Sequence, residues 1–260
     1  MKSRVDFQQQ RFKAVFFDLG NTLMYFNGYW PDVYARSYLA LTAELLRRGY
    51  ALEEKAFLRE FSERINAYYQ QRDLNCIEHT SEHVLRSLLL ERGYASARDD
   101  DLLPVLDAMY AVSQQHWNVE EDAHTCLTQL KQAGLRLGLI SNAAYARDAQ
   151  RLVDKAGIRP YLEQILISAD VGLRKPHEQI FRQALDAWQI APQEAVMVGD
   201  SLAADIVGAN QLGMASVWIT RRVPNAEQMT IPSAGQPDAR VNSLLALADL
   251  LVQPAPRVQE

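Results

Sequence analysis

The sequence contains few cysteines, no excess of basic residues and no long apolar run. The two cysteines, Cys76 and Cys126, lie far apart and in no Cys-x-x-Cys spacing. This argues against a disulfide framework and favours buried thiols in a reducing compartment. Lys and Arg number 27 against 32 Asp and Glu, so the net charge of −5 argues against binding of nucleic acid or an anionic membrane.

Two further absences concern targeting. No segment approaches the roughly 18 consecutive apolar residues of a membrane span. The first residues, Met1 to Asp6, lack the apolar stretch of a signal peptide. We therefore expect a cytoplasmic protein that acts without a membrane.

The sequence does contain five short runs that are apolar without alternation, which is typical of parallel strands buried on both faces. These runs are Lys13–Leu19, Leu135–Ser141, Gln164–Ser168, Ala195–Asp200 and Ala215–Thr220. Helical patterns lie between several of them, at Tyr145–Gly157, Pro176–Trp188 and Leu202–Gly213. Strands that alternate with helices of this length predict a Rossmann-like α/β fold with a parallel sheet.

The segment from about Gly28 to Trp117 has no strand-like run, and its apolar residues recur at helical spacing. Helices are expected there around Tyr34–Leu45, Phe57–Ile65, Ser81–Gly93 and Asp99–His116. The sequence thus predicts an α/β core over residues 12–27 and 118–252, with an inserted α-helical cap over residues 28–117. Residues 1–11 and 253–260 are predicted to be flexible termini.

Polar side chains stand where the predicted strands end. Asp18, Ser141 and Asp200 occupy such positions, and Lys175 lies just before a predicted helix. Open parallel sheets bind ligands at the carboxyl ends of their strands. A carboxylate there can attack phosphorus to form an aspartyl-phosphate, and Mg²⁺ prefers carboxylate, carbonyl and water oxygens. Asp205 supplies a further carboxylate close to Asp200 in the chain.

Four segments, in this order, resemble the motifs of the haloacid dehalogenase superfamily with a helical cap of the first type. They are Asp18-Leu-Gly-Asn-Thr22, Ile140-Ser141-Asn142, Gly172-Leu-Arg-Lys175-Pro176 and Gly199-Asp200-Ser-Leu-Ala-Ala-Asp205. Each motif alone is a weak signal, but four in order at strand ends and helix starts are strong evidence for the fold.

The resemblance implies a role for each matching residue. Asp18 would be the nucleophile, with Lys175 as the second catalytic residue. The implied ligands of Mg²⁺ are Asp18, the backbone carbonyl of Gly20, Asp200 and Asp205. The implied phosphate-binding residues are Thr22, Ser141, Asn142 and Lys175. Asp205 has an alternative role, which is to hold Lys175 or a water molecule.

Gly20 departs from the family pattern. Members usually carry a second aspartate two residues after the first, and it acts as the general acid and base. Gly20 keeps the backbone carbonyl and loses the carboxyl group. General acid–base assistance contributes typically ~10²–10⁴-fold. We therefore expect a slow phosphatase of a small phosphomonoester, an acid borrowed from the cap or the substrate, or a stable leaving group such as an aryl, acyl or anomeric oxygen.

Two other functions remain open at this stage. A metal-independent 2-haloacid dehalogenase needs no acid to release halide, but it has no use for Asp200 and Asp205. A non-catalytic or weakly active binding or regulatory protein would need none of these residues. The sequence predicts neither the substrate nor the oligomeric state.

Three other features allow more than one interpretation. Tyr25, Phe26, Tyr29 and Trp30 form an aromatic cluster that is either a substrate-facing wall or hinge packing. His79 and His83 have metal-binding spacing, but a helix cap at Thr80 or Ser81 would leave His79 outside the helix. Arg47-Arg48 and Arg221-Arg222 are expected to be solvated surface pairs.

Overall fold

The computed structural model describes residues 5–94 and 99–252. The predicted flexible tail 253–260 and the first four residues of the predicted N-terminal tail lie outside the described residues. Within the rest of that N-terminal segment, Phe7 is buried and its ring lies 5.6 Å from that of Phe12. The flexibility of residues 5–11 stays a prediction.

Six parallel strands form the main sheet, and two further strands form an antiparallel ribbon. In chain order the strands are β1 (Ala14–Phe17), β2 (Met24–Phe26), β3 (Trp117–Val119), β4 (Arg136–Ser141), β5 (Gln164–Ile167), β6 (Ala195–Gly199), β7 (Ala215–Ile219) and β8 (Ala239–Val241). The order in the sheet is β5-β4-β1-β6-β7-β8. The chain runs from β1 to β4 and β5 on one side and from β6 to β7 and β8 on the other. The switch in strand order therefore falls between β1 and β6, where open sheets bind ligands.

The predicted α/β class is confirmed, and all five predicted strands are present. Every residue of β1, β6 and β7 is buried, which explains their unbroken apolar runs. β8 was not predicted, because its three residues include a polar one and form only the edge of the sheet.

Four helices form the predicted insertion after β1 and β2. They are α1 (Trp30–Arg47), α2 (Glu54–Asn75), α3 (Ser81–Glu91) and α4 (Asp99–Gln114). Their apolar faces form a hydrophobic core of their own, in which Leu41, Phe57, Phe61 and Leu85 are fully buried. The Thr80 side chain caps α3 by accepting a hydrogen bond from the backbone N–H of residue 83. The helical character of this segment is therefore confirmed, while its limits at residues 28 and 117 stay a prediction.

The insertion joins the core through a ribbon that the sequence pattern did not predict. β2 and β3 pair antiparallel, with Met24 opposite Val119 and Phe26 opposite Trp117. Trp117 thus begins a strand and does not simply end a helical segment. Each strand has only three residues, too few for a recognisable alternation of apolar and polar positions.

The remaining helices cover the sheet. They are α5 (Ala123–Gln132), α6 (Ala146–Lys155), α7 (Ser168–Val171), α8 (Glu178–Trp188), α9 (Val207–Leu212) and α10 (Leu244–Leu251), and a π-helical turn (Leu202–Ile206) leads into α9. The prediction that α8 starts at Pro176 was wrong. The helix begins at Glu178, because the His177 side chain caps it by accepting from the backbone N–H of Gln179.

Arg221 and Arg222 keep 20% and 36% of their side chains exposed, but both are ion-paired, which the expectation of solvated surface pairs did not include. Arg221 makes a bidentate pair with Asp122 at 2.6 and 2.8 Å, and Arg222 makes one with Glu120 at 2.7 and 2.9 Å. Both acids are buried and follow β3. The Arg222 guanidinium also lies over the Tyr25 ring. This network ties the ribbon of β2 and β3 to the loop after β7.

The two cysteines differ in their surroundings. Both are free thiols, as expected. Cys126 is buried, and burial raises the pKa of its thiol to about 12. Cys76 is only half-buried at the end of α2, so the expectation that both thiols are buried holds for one of them. Among the described residues, no helix combines the length and apolar character needed to cross a membrane.

Candidate active site

Three carboxylates converge at the switch in strand order. Asp18 directly follows β1 and Asp200 directly follows β6, and Asp205 lies in the π-helical turn before α9. The backbone N–H of Asp18 donates to Val198 O at 2.9 Å, so the hydrogen bonding between β1 and β6 continues to Asp18. Oxygen atoms of the three acids lie within 4.8 Å of one another.

Lys175 lies between two of these carboxylates. Its Nζ atom is 2.7 Å from Asp18 Oδ1 and 2.7 Å from Asp205 Oδ1, and it donates to Ile140 O at 2.6 Å. Lys175 is only 3% exposed. Burial alone would lower the pKa of its ammonium, but the charges of Asp18 and Asp205 outweigh burial and raise that pKa. The lysine is therefore charged at neutral pH and balances part of the acidic cluster.

Asp205 is packed tightly against the backbone of its own motif. Its Oδ2 atom accepts a hydrogen bond from the backbone N–H of Ser201 at 3.0 Å. A Cβ atom on Gly199 would lie 2.1 Å from that oxygen, so no larger residue fits there. The two oxygens of Asp205 thus contact Ser201 and Lys175.

Asp200 is held from two sides. Asn21, whose φ of 55° lies in the left-handed region, donates from Nδ2 to Asp200 Oδ2 at 3.3 Å. Trp218 on β7 donates from Nε1 to the backbone oxygen of Asp200 at 2.8 Å. Burial, followed by the charges of Asp18 and Asp205, raises the pKa of the Asp200 carboxyl group. Such a cluster of mutually repelling oxygen ligands fits a hard divalent cation, which would stabilise the ionised forms.

The predicted phosphate-binding residues differ in their contacts. Ser141 ends β4 and is buried. The Asn142 side-chain amide makes two hydrogen bonds with the backbone of Lys175. It donates to the Lys175 carbonyl oxygen at 3.0 Å and accepts from the Lys175 N–H at 2.8 Å. The hydroxyl of Thr22 is buried and has no hydrogen-bond partner within residues 5–94 and 99–252. Phosphate contacts by these side chains stay predictions, and Asn142 has the additional role of fixing Lys175.

A cavity of about 220 Å³ opens beside Gly20. Leu19, Gly20, Ser141 and Asn142 line its end next to the carboxylate cluster. Its other walls include seven aromatic side chains and come from α1, α2, α4, β3, α6 and the loop before α6. The aromatic residues are Trp30, Tyr34, Tyr38, Tyr69, Tyr110, Trp117 and Tyr145. The aromatic cluster at the cap junction was interpreted either as a substrate-facing wall or as hinge packing, and its residues differ. Trp30 lines the cavity, whereas Tyr25 packs under Arg222 in the ribbon.

Trp117 occupies the space next to Gly20. A Cβ atom on residue 20 would lie 3.2 Å from Cη2 and 3.6 Å from Cζ3 of the Trp117 indole. The φ angle of Gly20 is not in the left-handed region, so its backbone does not require glycine. The side chain of Trp117, and not backbone strain, opposes a larger residue at position 20.

A half-buried acid lines the same cavity away from the carboxylate cluster. Asp148, in the first turn of α6, accepts a hydrogen bond on Oδ1 from Gln114 Nε2 at 2.7 Å. Burial raises the pKa of its carboxyl group to about 7. Arg72 of α2 also lines the cavity and lies over the Tyr69 ring, 4.1 Å from its centre. The cavity therefore combines aromatic walls with two ionisable groups.

Another buried acid joins the insertion to the core near Lys175. Tyr68 Oη donates to Glu78 Oε1, and Ser168 Oγ donates to Glu78 Oε2 at 2.6 Å. Ser168 Oγ in turn accepts from the backbone N–H of Ala143 at 2.9 Å. The backbone N–H of Glu78 donates to Gly172 O at 3.0 Å. Glu78 therefore connects the insertion with the segments that carry Ser141 and Lys175.

Sequence reasoning missed several residues around the site. Asn21 stands inside the first motif, directly after Gly20, and this position could have identified it as a site residue. Trp117, Asp148 and Glu78 carried no local signal, because only the packing of the insertion on the core brings them to the cavity or the loops. His79 and His83 stack with their ring centres 5.2 Å apart, and His79 lies outside α3 as the predicted cap implied.

Comparisons with known proteins agree with this geometry. A family model described as haloacid dehalogenase-like hydrolase matches residues 12–213. The chain is 34% identical over 163 residues to a phosphoserine phosphatase of Thermus thermophilus, a match that covers 63% of this chain and 61% of that protein. It is 27% identical over 245 residues to a glyceraldehyde 3-phosphate phosphatase of Methanothermobacter thermautotrophicus, covering 92% and 99% of the two chains.

A solved structure shares the fold. The 2-haloacid dehalogenase of Pseudomonas syringae pv. Tomato DC3000 superposes with a TM-score of 0.62 at 23% identity, covering 92% of this chain and 98% of that one. This similarity supports the α/β core with a helical insertion and leaves the reaction to be argued from the site.

Proposed function

Because the chain belongs to the haloacid dehalogenase-like hydrolases, we propose that it is a Mg²⁺-dependent phosphatase that hydrolyses a small phosphomonoester through an aspartyl-phosphate on Asp18. The observation that carries this proposal is the position of Lys175 Nζ, 2.7 Å from both Asp18 Oδ1 and Asp205 Oδ1. A buried lysine in this position offsets the charge of the Asp18 carboxylate, whose oxygen can attack phosphorus.

Each neighbouring residue has a defined task in this proposal. Lys175 also offsets negative charge on the phosphoryl oxygens, and Asn142 holds the backbone of Lys175 in place. The Ser141 hydroxyl, at the carboxyl end of β4, donates to a phosphoryl oxygen. Thr22 supports the loop that carries Asp18 or binds phosphate directly. Positioning and charge stabilisation are the main requirements of phosphoryl transfer.

Mg²⁺ would be held by the carboxylates of Asp18 and Asp200 and by the backbone carbonyl of Gly20. When bound, it supplies positive charge that draws a phosphate oxygen toward the nucleophile. Both oxygens of Asp205 already contact protein groups, so of its two predicted roles we favour the one in which it holds Lys175.

Gly20 leaves the departing oxygen without the usual acid. In a loose transition state this oxygen carries negative charge, so a departing alkoxide is disfavoured by the ~10²–10⁴-fold that general acid catalysis usually contributes. We therefore expect slow turnover of alkyl phosphates. Phosphoserine and glyceraldehyde 3-phosphate, the substrates named for the two relatives, support a small phosphorylated metabolite as the natural partner.

Phosphate release tests the proposal directly. Purified protein is incubated with Mg²⁺ and a panel that includes phenyl phosphate, phosphoserine and glyceraldehyde 3-phosphate. We expect phosphate release that stops with a chelator and falls at least ~10³-fold in Asp18→Asn, since this change removes the nucleophile. Asp186→Asn, an exposed aspartate on α8, is the matched control and should retain activity.

The same assays separate the two alternative functions. Halide release from a 2-haloacid that survives the chelator would support a dehalogenase and contradict the proposal. Neither phosphate nor halide release from folded protein would support a binding or regulatory role.

A further inference from the structure

The cavity beside Gly20 restricts which group is attached to the phosphate. We propose that it is a subsite for an aromatic leaving group, so that the enzyme prefers aryl phosphates to alkyl phosphates, and that Trp117 is the residue that determines this specificity. The inference rests on the proposed phosphatase function and names the class of its substrate. Two observations support it. Aromatic side chains line the cavity, and the Trp117 indole lies next to Gly20.

The walls are suited to a planar ring. Rings on α1 stack in sequence along one side, with Trp30 and Tyr34 centred 5.1 Å apart and Tyr34 and Tyr38 centred 6.1 Å apart. Trp117 meets Trp30 edge-on at 6.2 Å and forms the wall next to Gly20. Aromatic rings pair favourably at centroid separations of about 4.5–7 Å in offset or edge-on arrangements. A substrate ring that enters this cavity therefore has several aromatic side chains as neighbours.

The cavity is placed where the leaving group must lie. Its inner end is formed by Gly20 and Ser141, which neighbour the nucleophile and the predicted phosphate site. The position of the missing carboxyl group marks the side of the departing oxygen, because that carboxyl normally gives it a proton. The Trp117 indole lies 3.2 Å from the point where a Cβ atom on residue 20 would stand, so a leaving group on this side lies next to an indole and not an acid.

The chemistry of departure favours the same class. A phenol such as that of tyrosine has a pKa of about 10, whereas water, which resembles an alkyl alcohol in acidity, has a pKa of about 15.7. An aryl oxygen therefore leaves as a phenolate without a proton donor. An alkyl oxygen leaves as an unstable alkoxide, and it needs the acid that this site lacks.

The proposed sequence of steps is balanced without a general acid. A carboxylate oxygen of Asp18 forms a bond to phosphorus while the bond between phosphorus and the aryl oxygen breaks. The electron pair of that bond stays on the aryl oxygen, and the phenolate takes its proton from solvent after release. Water then attacks phosphorus, the bond to the Asp18 oxygen breaks, and the proton of the attacking water passes to the phosphate or to solvent.

The test compares substrates and ring-removing variants. The holoenzyme with Mg²⁺ is assayed with phenyl phosphates of graded phenol pKa and with glycerol phosphate and phosphoserine. For the wild type we expect kcat/KM for phenyl phosphate to exceed that for the alkyl esters by at least about 100-fold, the range of an absent general acid. Within the phenyl series, kcat/KM should fall as the phenol pKa rises, because it reports the step in which the phenolate departs.

Trp117→Leu separates binding of the ring from chemistry at phosphorus. We expect KM for phenyl phosphate to rise about tenfold, with kcat within about threefold of wild type, as the loss of a stacking partner implies. Inhibition by inorganic phosphate should be unchanged, because phosphate alone does not reach the ring subsite. Trp188→Leu is the matched control, since Trp188 stacks on Phe16 and does not line the cavity; it should alter neither constant.

Trp30→Leu is a second variant that tests the ring subsite if Trp117→Leu does not fold. Trp30 is 36% exposed, and KM for phenyl phosphate should rise in the same direction, with the thermal midpoint measured alongside. If the wild type hydrolyses alkyl esters as efficiently as phenyl phosphates, the inference is overturned while the phosphatase function stands. If no ester is hydrolysed in an Asp18-dependent manner, the proposed function itself fails.

Discussion

Cη2 of the Trp117 indole lies 3.2 Å from the point where a Cβ atom on residue 20 would stand. The two residues are far apart in the chain, and the ribbon of β2 and β3 brings them together. Glycine at position 20 and tryptophan at position 117 therefore depend on each other. An acid at position 20 and the indole at position 117 compete for one space.

Restoring the acid should require both positions to change. We expect Gly20→Asp alone to raise kcat for phosphoserine less than about threefold, because Trp117 displaces the new carboxylate from the departing oxygen. Gly20→Asp combined with Trp117→Val should raise it by about 10² or more, the usual contribution of a general acid. Trp117→Val alone is the control, and an equal gain from the single Gly20→Asp variant would contradict this interdependence.

Lys175→Met should destabilise the fold in a manner that depends on pH. The change leaves the buried Asp205 and the half-buried Asp18 without their counter-charge, so we expect the free energy of unfolding to fall by about 3–5 kcal/mol at pH 7.5. The loss should be smaller at pH 5, because burial raises the pKa of the Asp205 carboxyl group, which can then protonate. Urea unfolding of the metal-free protein at both pH values measures this, with the exposed Lys131→Met as control.

Gly199→Ala should disturb the site through Asp205. Its Cβ would overlap Asp205 Oδ2 at 2.1 Å, so we expect a loss of about 1–3 kcal/mol of unfolding free energy together with reduced activity. Gly235→Ala provides a comparison, because the nearest atoms to its new Cβ are 3.7 Å away, an ordinary van der Waals contact. Equal thermal midpoints for the two variants would show that Asp205 moves aside easily.

Mg²⁺ should stabilise the folded protein. A ligand that binds only the native state adds about 2.7 kcal/mol to the free energy of unfolding at 100 times its dissociation constant. We expect Mg²⁺ to raise the thermal midpoint of wild type and of Asp186→Asn but not of Asp200→Asn. Potassium chloride at matched ionic strength controls for screening, and stabilisation of Asp200→Asn by Mg²⁺ would argue against this site.

Asp148 should make stability fall as the pH rises. Burial raises the pKa of its carboxyl group to about 7 in the folded protein from 3.8, so between these values the folded state binds more protons than the unfolded state. This stabilisation is complete below about pH 4 and is lost as the pH approaches 7. Gln114 and Arg151 favour the ionised form and Asp107 opposes it.

Comparison with Asp148→Asn isolates this effect. The free energy of unfolding of wild type relative to the variant should decline by roughly 3–4 kcal/mol between pH 4 and pH 7. Asparagine keeps an oxygen that can accept from Gln114, so the packing is preserved. A difference between the two proteins that stays constant with pH would show that Asp148 is ionised throughout this range.

Local patterns were sufficient to predict most of the core. β1 and β6 are buried on both faces, and this burial produces unbroken apolar runs that are visible in the chain. The ends of those strands carry Asp18 and Asp200, so their convergence follows from the parallel arrangement. The start of α8 was misplaced at Pro176, because the His177 side chain, which is not a common cap, begins the helix two residues later.

Partners that are distant in the chain could not be predicted. Arg221 and Arg222 look like surface residues in sequence, yet they pair with buried acids beyond β3. The hydrogen bonds of Asn142 with the backbone of Lys175 and of Ser168 with Glu78 form only when separate segments pack together. No periodicity within a segment encodes such contacts.

The sequence by itself determined the α/β architecture, the helical insertion and the order of the polar motifs, because strand burial, helix spacing and turn chemistry are properties of contiguous residues. It also determined that Gly20 has no carboxyl group. Only the tertiary structure decided what fills that place. Trp117 stands beside Gly20 because the insertion returns to the core through a paired ribbon, and packing between distant segments selects which side chain meets which.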